Sequence, residues 1–87
     1  MPKVDYTQHA REKFEILRRH DFAVSPAQVE ETVLRPDKII PQSSGRLIAQ
    51  KRITERHVLR VVYREEDETR LVITFYPGRR ERYEDEL

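Results

Sequence analysis

Arg60, Arg64, Arg70, Thr74 and Tyr76, followed by Arg79, Arg80, Arg82 and Tyr83, are the residues whose types and spacing could do chemistry. A guanidinium grips phosphate or carboxylate through a planar fork of N–H groups, where an ammonium offers a point charge. Of the 17 basic residues, 13 are Arg. His57–Arg64 and Thr69–Tyr76, joined by Glu65-Glu66-Asp67-Glu68, read as the two strands of a hairpin. Side chains alternate across a strand. Leu59, Val61 and Tyr63 therefore share a face, as do Leu71, Ile73 and Phe75. The opposite face is expected to present Arg60, Arg64, Arg70, Thr74 and Tyr76, with Val58 and Val62 between them. Charge, hydroxyl and phenol on one sheet surface make a platform for phosphate.

The other reactive side chains point elsewhere. Histidine is the residue type that titrates near neutrality, and the chain has His9, His20 and His57. On a helix His9 and His20 share a face but lie roughly 16 Å apart, too far to hold one metal. His9 reads as capping or packing at the start of the first helix. His57 enters its strand on the parity of the core face; it is a candidate base, although Leu59 and Val61 as neighbours favour packing. The acidic turn lacks the alternating ligands and glycine of a calcium loop and reads as a solvated hairpin tip. There is no Cys, Gly-rich phosphate loop, zinc spacing or nucleophile elbow. Neither a metal site nor a cofactor is expected.

These residues need a frame. With 87 residues the chain reads as one domain, 1–87. No apolar run approaches the roughly 18 residues that span a bilayer, and Met1-Pro2-Lys3-Val4-Asp5 lacks a signal peptide's apolar stretch. A cytoplasmic protein without membrane contact is the expectation. Ala10, Phe14 and Leu17, with Ile16 beside them, place a helix over 7–20, capped by Asp5 or Thr7. Ser25, Pro26 and Gln28 start a second helix over 26–35 with a capping box, and Pro36 stops it. Asp37–Pro41 reads as an edge strand, 42–45 as a turn and Arg46–Ile53 as a further strand. Pro77-Gly78 reads as a turn, and 79–87 as an Arg-then-acid tail with room for a short helix. Short links between strands favour a meander. The fold class is then α+β, with two N-terminal helices packed on one face of a four-stranded antiparallel sheet.

Several stretches resemble a family of small prokaryotic proteins known as a domain of unknown function. They are Tyr6-Thr7-Gln8-His9-Ala10, Glu30 through Asp37, Gly45 through Arg52, and Leu59-Arg60-Val61-Val62-Tyr63. This likeness covers nearly the whole chain. Arg70 through Tyr76, followed by Arg79-Arg80-Glu81-Arg82-Tyr83, is also similar to the end of BrnT-type toxins, small ribonucleases of RelE-like fold from toxin–antitoxin pairs. BrnT-type chains usually begin with a strand, which here only Lys3-Val4-Asp5-Tyr6 could supply. Their Ala-Arg-Lys-Ala-Thr exit from the last strand is replaced by Phe75-Tyr76-Pro77-Gly78.

That resemblance implies a RelE/BrnT-like fold and a toxin-type endoribonuclease, or a descendant of one. Its partners would be RNA, free or on the ribosome, and an antitoxin protein. Metal-independent cleavage needs a base for the 2′-hydroxyl, an acid for the leaving oxygen and cations on the phosphorane. On this reading Arg60, Arg70, Tyr76 and His57 are the catalytic candidates, and Arg64, Thr74, Arg79, Arg80, Arg82 and Tyr83 bind RNA. Tyr63, Tyr76 or Tyr83 could act as the acid only if guanidiniums lowered the ordinary phenol value of about 10. The alternative is a non-catalytic module that binds nucleic acid or protein through the same face. The plainest reading is a charged strand face with Arg paired to Glu across strands.

Overall fold

The computed structural model describes residues 2–84. In chain order the elements are β1 (Lys3–Tyr6), α1 (Gln8–Arg19), α2 (Pro26–Leu34), β2 (Lys38–Pro41), a 3-10 turn (Ser43–Gly45), β3 (Arg46–Arg52), β4 (His57–Glu66), β5 (Thr69–Arg79) and α3 (Arg80–Tyr83). They form an α+β fold whose sheet runs β1-β5-β4-β3-β2. Strands β2 to β5 are the antiparallel meander. The sheet is nevertheless five-stranded and mixed, not four-stranded and antiparallel, because β1 adds parallel to β5 with Val4 opposite Arg70 and Tyr6 opposite Val72. A four-residue strand is too short to declare itself by alternation, and its partner lies at the other end of the sequence. Among the described residues no helix is long and apolar enough to cross a membrane.

Local chemistry sets the helix starts. Thr7, not Asp5, caps α1: its Oγ1 accepts from the Ala10 amide at 3.1 Å. The same hydroxyl donates to the Ile73 carbonyl at 3.1 Å, and the Thr7 amide donates to the Val72 carbonyl at 3.0 Å. One residue thus ends β1, starts α1 and ties both to β5. At α2 the capping box is complete, with the Gln28 amide on Ser25 Oγ at 3.2 Å and the Ser25 amide on Gln28 Oε1 at 2.9 Å. Such a cap contributes about 1 kcal/mol. Both helices press apolar stripes on one sheet face. Ala10, Val24, Val29 and Val33 meet Leu59, Val61, Val72 and Phe75 there, and Phe14 stacks on Phe75 at 4.6 Å between ring centroids.

The register corrects the expected faces of β5. Val62 pairs with Thr74, but Tyr63 pairs with Val72, so Ile73 is an extra residue in the ladder. This bulge reverses the alternation. Beyond it, towards Arg79, Phe75 faces the helices; before it, Val72 does. Val72 therefore takes the core place expected for Leu71 and Ile73, and Arg70 turns to the helix side. Leu71-Val72-Ile73 is apolar throughout, so alternation alone could not reveal the slip. Pro77 and Gly78 continue β5 and are not a turn. Strand β1 stops opposite Val72, leaving this part of β5 at an edge, where proline's missing N–H costs no ladder bond.

Candidate functional site

The face turned away from α1 and α2, helix-free in that sense, is a set of cross-strand rows fixed by the register. One row runs Ile40, Ile48, Val62, Thr74; the next runs Lys38, Gln50, Arg60, Tyr76; a third runs Arg52, Val58, Gly78. On the far side of the first row, Arg46 stands opposite Arg64. Helix α3 folds back over the third row. Its Tyr83 ring lies so close to Gly78 that any Cβ there would collide with it. The Tyr83 carbonyl accepts from Gln50 Nε2 at 3.2 Å and from Lys38 Nζ at 3.5 Å. The face is thus partly roofed at one end, which makes a niche of the Arg60 row.

Arg60 sits in that niche. Its guanidinium carbon is 4.2 Å from the centroid of Tyr83 and 5.9 Å from that of Tyr76. Stacking occupies the flat face of a guanidinium and leaves its N–H edge for an incoming oxygen. The Nε of Arg60 is buried without a hydrogen-bond partner, and so is Oε1 of Gln50, its cross-strand neighbour, which is 2% exposed. Arg60 makes no ion pair among the described residues. A half-buried cation with no counter-charge is costly; its complement is an anionic group with acceptor oxygens, such as a phosphodiester.

The remaining candidates divide. Thr74 and Tyr76 join Arg60 on this face, Tyr83 covers it, and Arg82 lies 5.8 Å from the Tyr83 ring. Arg64 stands further along β4 on the same face and pairs with Glu66 at 2.6 Å. Arg70 is on the helix side, donating to the Val33 carbonyl at 2.8 Å beside Glu65 at 3.8 Å. His57 is at the sheet end, 4.8 Å from the Phe22 ring and 3.2 Å from Thr54 Oγ1. Arg79 is its cross-strand partner. There His57, Arg52, Arg56, Arg79 and Arg80 line a groove of about 1160 Å³ with Asp37, Glu55, Glu81 and Glu84. Three of its guanidiniums are already committed. Arg80 binds Glu84 at 2.6 Å and the Glu55 carbonyl at 2.7 Å, Arg52 reaches Glu84 at 3.5 Å, and Arg79 reaches Glu81 at 3.6 Å. The hydrogen bond from Arg80, foremost, holds the Glu84 carboxyl below its ordinary range. This end is an ion-pair network more than an anion receptor.

Tyr63 does not supply an acid of lowered pKa. Burial, the largest influence, pushes its phenol upward, although Arg70 acts the other way. Three residues outside the expected catalytic and RNA-binding set belong to the site. Lys38 and Gln50 extend the Arg60 row, and parity in β2 and β3 could have placed them. His9 is the third: its Nε2 is 3.1 Å from Thr74 Oγ1, a contact made only because Thr7 fixes the start of α1 beside β5. Among the described residues no cluster of His, Asp and Glu is arranged to hold a metal ion.

In comparisons with known proteins, no family model, no curated protein and no solved structure matches the chain.

Proposed function

We propose that the chain is a toxin-type endoribonuclease, or a descendant of one, that binds RNA on the helix-free face around Arg60 and cleaves it by metal-independent attack of the 2′-hydroxyl. The observation that carries this reading is the Arg60 guanidinium, stacked between Tyr83 and Tyr76 and without a counter-charge among the described residues. Aromatic rings beside an arginine suit single-stranded nucleic acid, where bases stack and phosphates pair. Lys38 and Arg82 extend the positive charge, while Arg64 on the same face is paired with Glu66. The RelE/BrnT-like fold implied by the C-terminal resemblance is part of the proposal, and strand β1 ahead of the helices supports it. RNA and an antitoxin protein are the partners it requires, and the cytoplasm is its compartment.

Binding without cleavage is the second reading. It is favoured by the dispersal of the expected catalytic set, since Arg70 lies on the helix side and His57 at the sheet end. The two readings part on one experiment. Purified protein is incubated with single-stranded RNA, with and without EDTA, and with RNA carrying a 2′-deoxy nucleotide at the scissile position. The enzyme reading expects a 2′,3′-cyclic phosphate product in EDTA and a bound but uncut deoxy substrate. Bound RNA recovered intact, together with normal growth on induced expression, rejects cleavage and leaves the binding module. No binding at low salt rejects both.

A further inference from the structure

We propose that His9, held against Thr74 at the uncovered edge of β5, is the general base of the helix-free face. The inference rests on the ribonuclease reading and supplies what that reading lacks, an acid–base group beside the cationic row. Strand β1 ends at Tyr6, opposite Val72, so from Ile73 onward this side of β5 has no neighbouring strand among the described residues. Helix α1 begins there. Its second residue, His9, is exposed and reaches the Thr74 hydroxyl with Nε2 at 3.1 Å. Thr74 is two residues from Tyr76, the cross-strand partner of Arg60. Two residues along a strand span about 7 Å and restore the same face. The imidazole is therefore anchored to the row next to that of the Arg60 guanidinium.

The surroundings leave the imidazole available. On β1 and α1 the nearest charged residues in sequence are Asp5 and Arg11, which pair with each other at 3.6 Å. One turn along α1 stand Glu12, hydrogen-bonded to Gln8 at 3.0 Å, and Lys13. From β5 the facing group is the Thr74 hydroxyl. In the step assigned here, His9 takes the proton of the 2′-hydroxyl as that oxygen forms its bond to phosphorus. The bond from phosphorus to the 5′ oxygen breaks, and the 5′ oxygen leaves with a proton from water. Arg60 carries the charge on the non-bridging oxygens. Thr74 is a positioning residue: its hydroxyl fixes which way the ring lies.

The test compares cleavage by wild type, His9→Gln, His9→Ala, Thr74→Val and Thr74→Ser across pH, with binding to the uncut 2′-deoxy RNA measured alongside. His9→Gln is expected to lose 10²–10⁴-fold in rate, the usual range for a general base, and less than tenfold in affinity. The acidic limb of the pH profile should vanish with it, and added imidazole should restore part of the rate of His9→Ala. Thr74→Val should slow cleavage while Thr74→Ser keeps it. Wild-type cleavage with undiminished cleavage by His9→Gln overturns this assignment alone, while intact RNA with bound wild type overturns the ribonuclease reading with it.

Discussion

Arg60 and Arg70 lie on opposite faces of one sheet, each beside tyrosine, and their surroundings differ in kind. Arg70 is enclosed by the fold. It lies 5.9 Å from the Tyr63 ring, donates to the last turn of α2 through the Val33 carbonyl, and has Glu65 as its cross-strand partner. Its Nε, like that of Arg60, is buried without a hydrogen-bond partner, but the Val33 carbonyl and the Glu65 carboxylate at 3.8 Å answer its charge, so Arg70 acts as a fastener between helix and sheet. Arg60 has two rings and, among the described residues, no anion. The helix face thus satisfies its cation internally, while the helix-free face holds one poised for something from outside. Arginine content alone says nothing about function; the location of the counter-charge does.

The largest contrast concerns the two faces themselves. Val61 is fully buried under the helices, whereas Val62 is only partly covered. Val61→Asp should cost about 4 kcal/mol or more, because it strands a carboxylate in the core. Val62→Asp should cost about 1 kcal/mol. Urea titration of both variants measures the gap, and a larger loss for Val62→Asp would mean that the strand faces are inverted.

Next come the arginines. On the ribonuclease reading, Arg60→Met should raise the cleavage barrier by about 2.7–4 kcal/mol, the typical loss of one preorganised donor. It should leave stability unchanged or improved, since an uncompensated charge is removed. Arg70→Met should do the reverse, costing about 1.5–3 kcal/mol of stability for a charged hydrogen bond and sparing cleavage. Unfolding curves and single-turnover rates on the same samples separate them. Gly78→Ala should be milder, at about 1–3 kcal/mol, because the new methyl displaces the Tyr83 ring. Loss of ring-current shifts at Arg60 would report that movement by NMR; unchanged shifts would mean that Tyr83 has another way to stay.

The smallest effect is a pH dependence on the helix side. Burial, then the nearby Glu30 carboxylate, pushes the Tyr6 phenol from 10.0 up to about 12. The unfolded chain ionises first as pH rises, so the contribution to stability is complete below pH 10.0 and declines towards about pH 12. Glu30→Gln should narrow that window. A phenol absorbance titration of the folded protein with its midpoint at the ordinary value would contradict the burial of Tyr6.

What could be read in the sequence was local. Ser25, Pro26 and Gln28 announce α2, and β4 alternates cleanly because Leu59, Val61 and Tyr63 are separated by polar or partly covered residues. What could not be read depends on distant partners. The bulge at Ile73 hides in an apolar run and carries Arg70 to the other face. Strand β1 exists because β5 offers Val4 and Tyr6 an edge and a core to pack on. Tyr83 covers Arg60 only after the chain turns back at Arg79, and His9 meets Thr74 only once Thr7 has tied α1 to β5. The candidate site was therefore half legible: its strand residues followed from alternation, while the counter-charges that rank them required the fold.

The central claim is that Arg60, and not Arg70, meets the nucleic acid. Fluorescence anisotropy of a labelled single-stranded RNA, titrated with wild type, Arg60→Met and Arg70→Met over a series of salt concentrations, tests it most directly. Wild-type affinity should fall linearly on a log–log plot as counterions are released. Arg60→Met should bind at least tenfold more weakly, with a slope flatter by about 0.7, one phosphate on a single strand. Arg70→Met should follow the wild-type line. Wild-type binding by Arg60→Met, or an equal loss in both variants, would contradict the account.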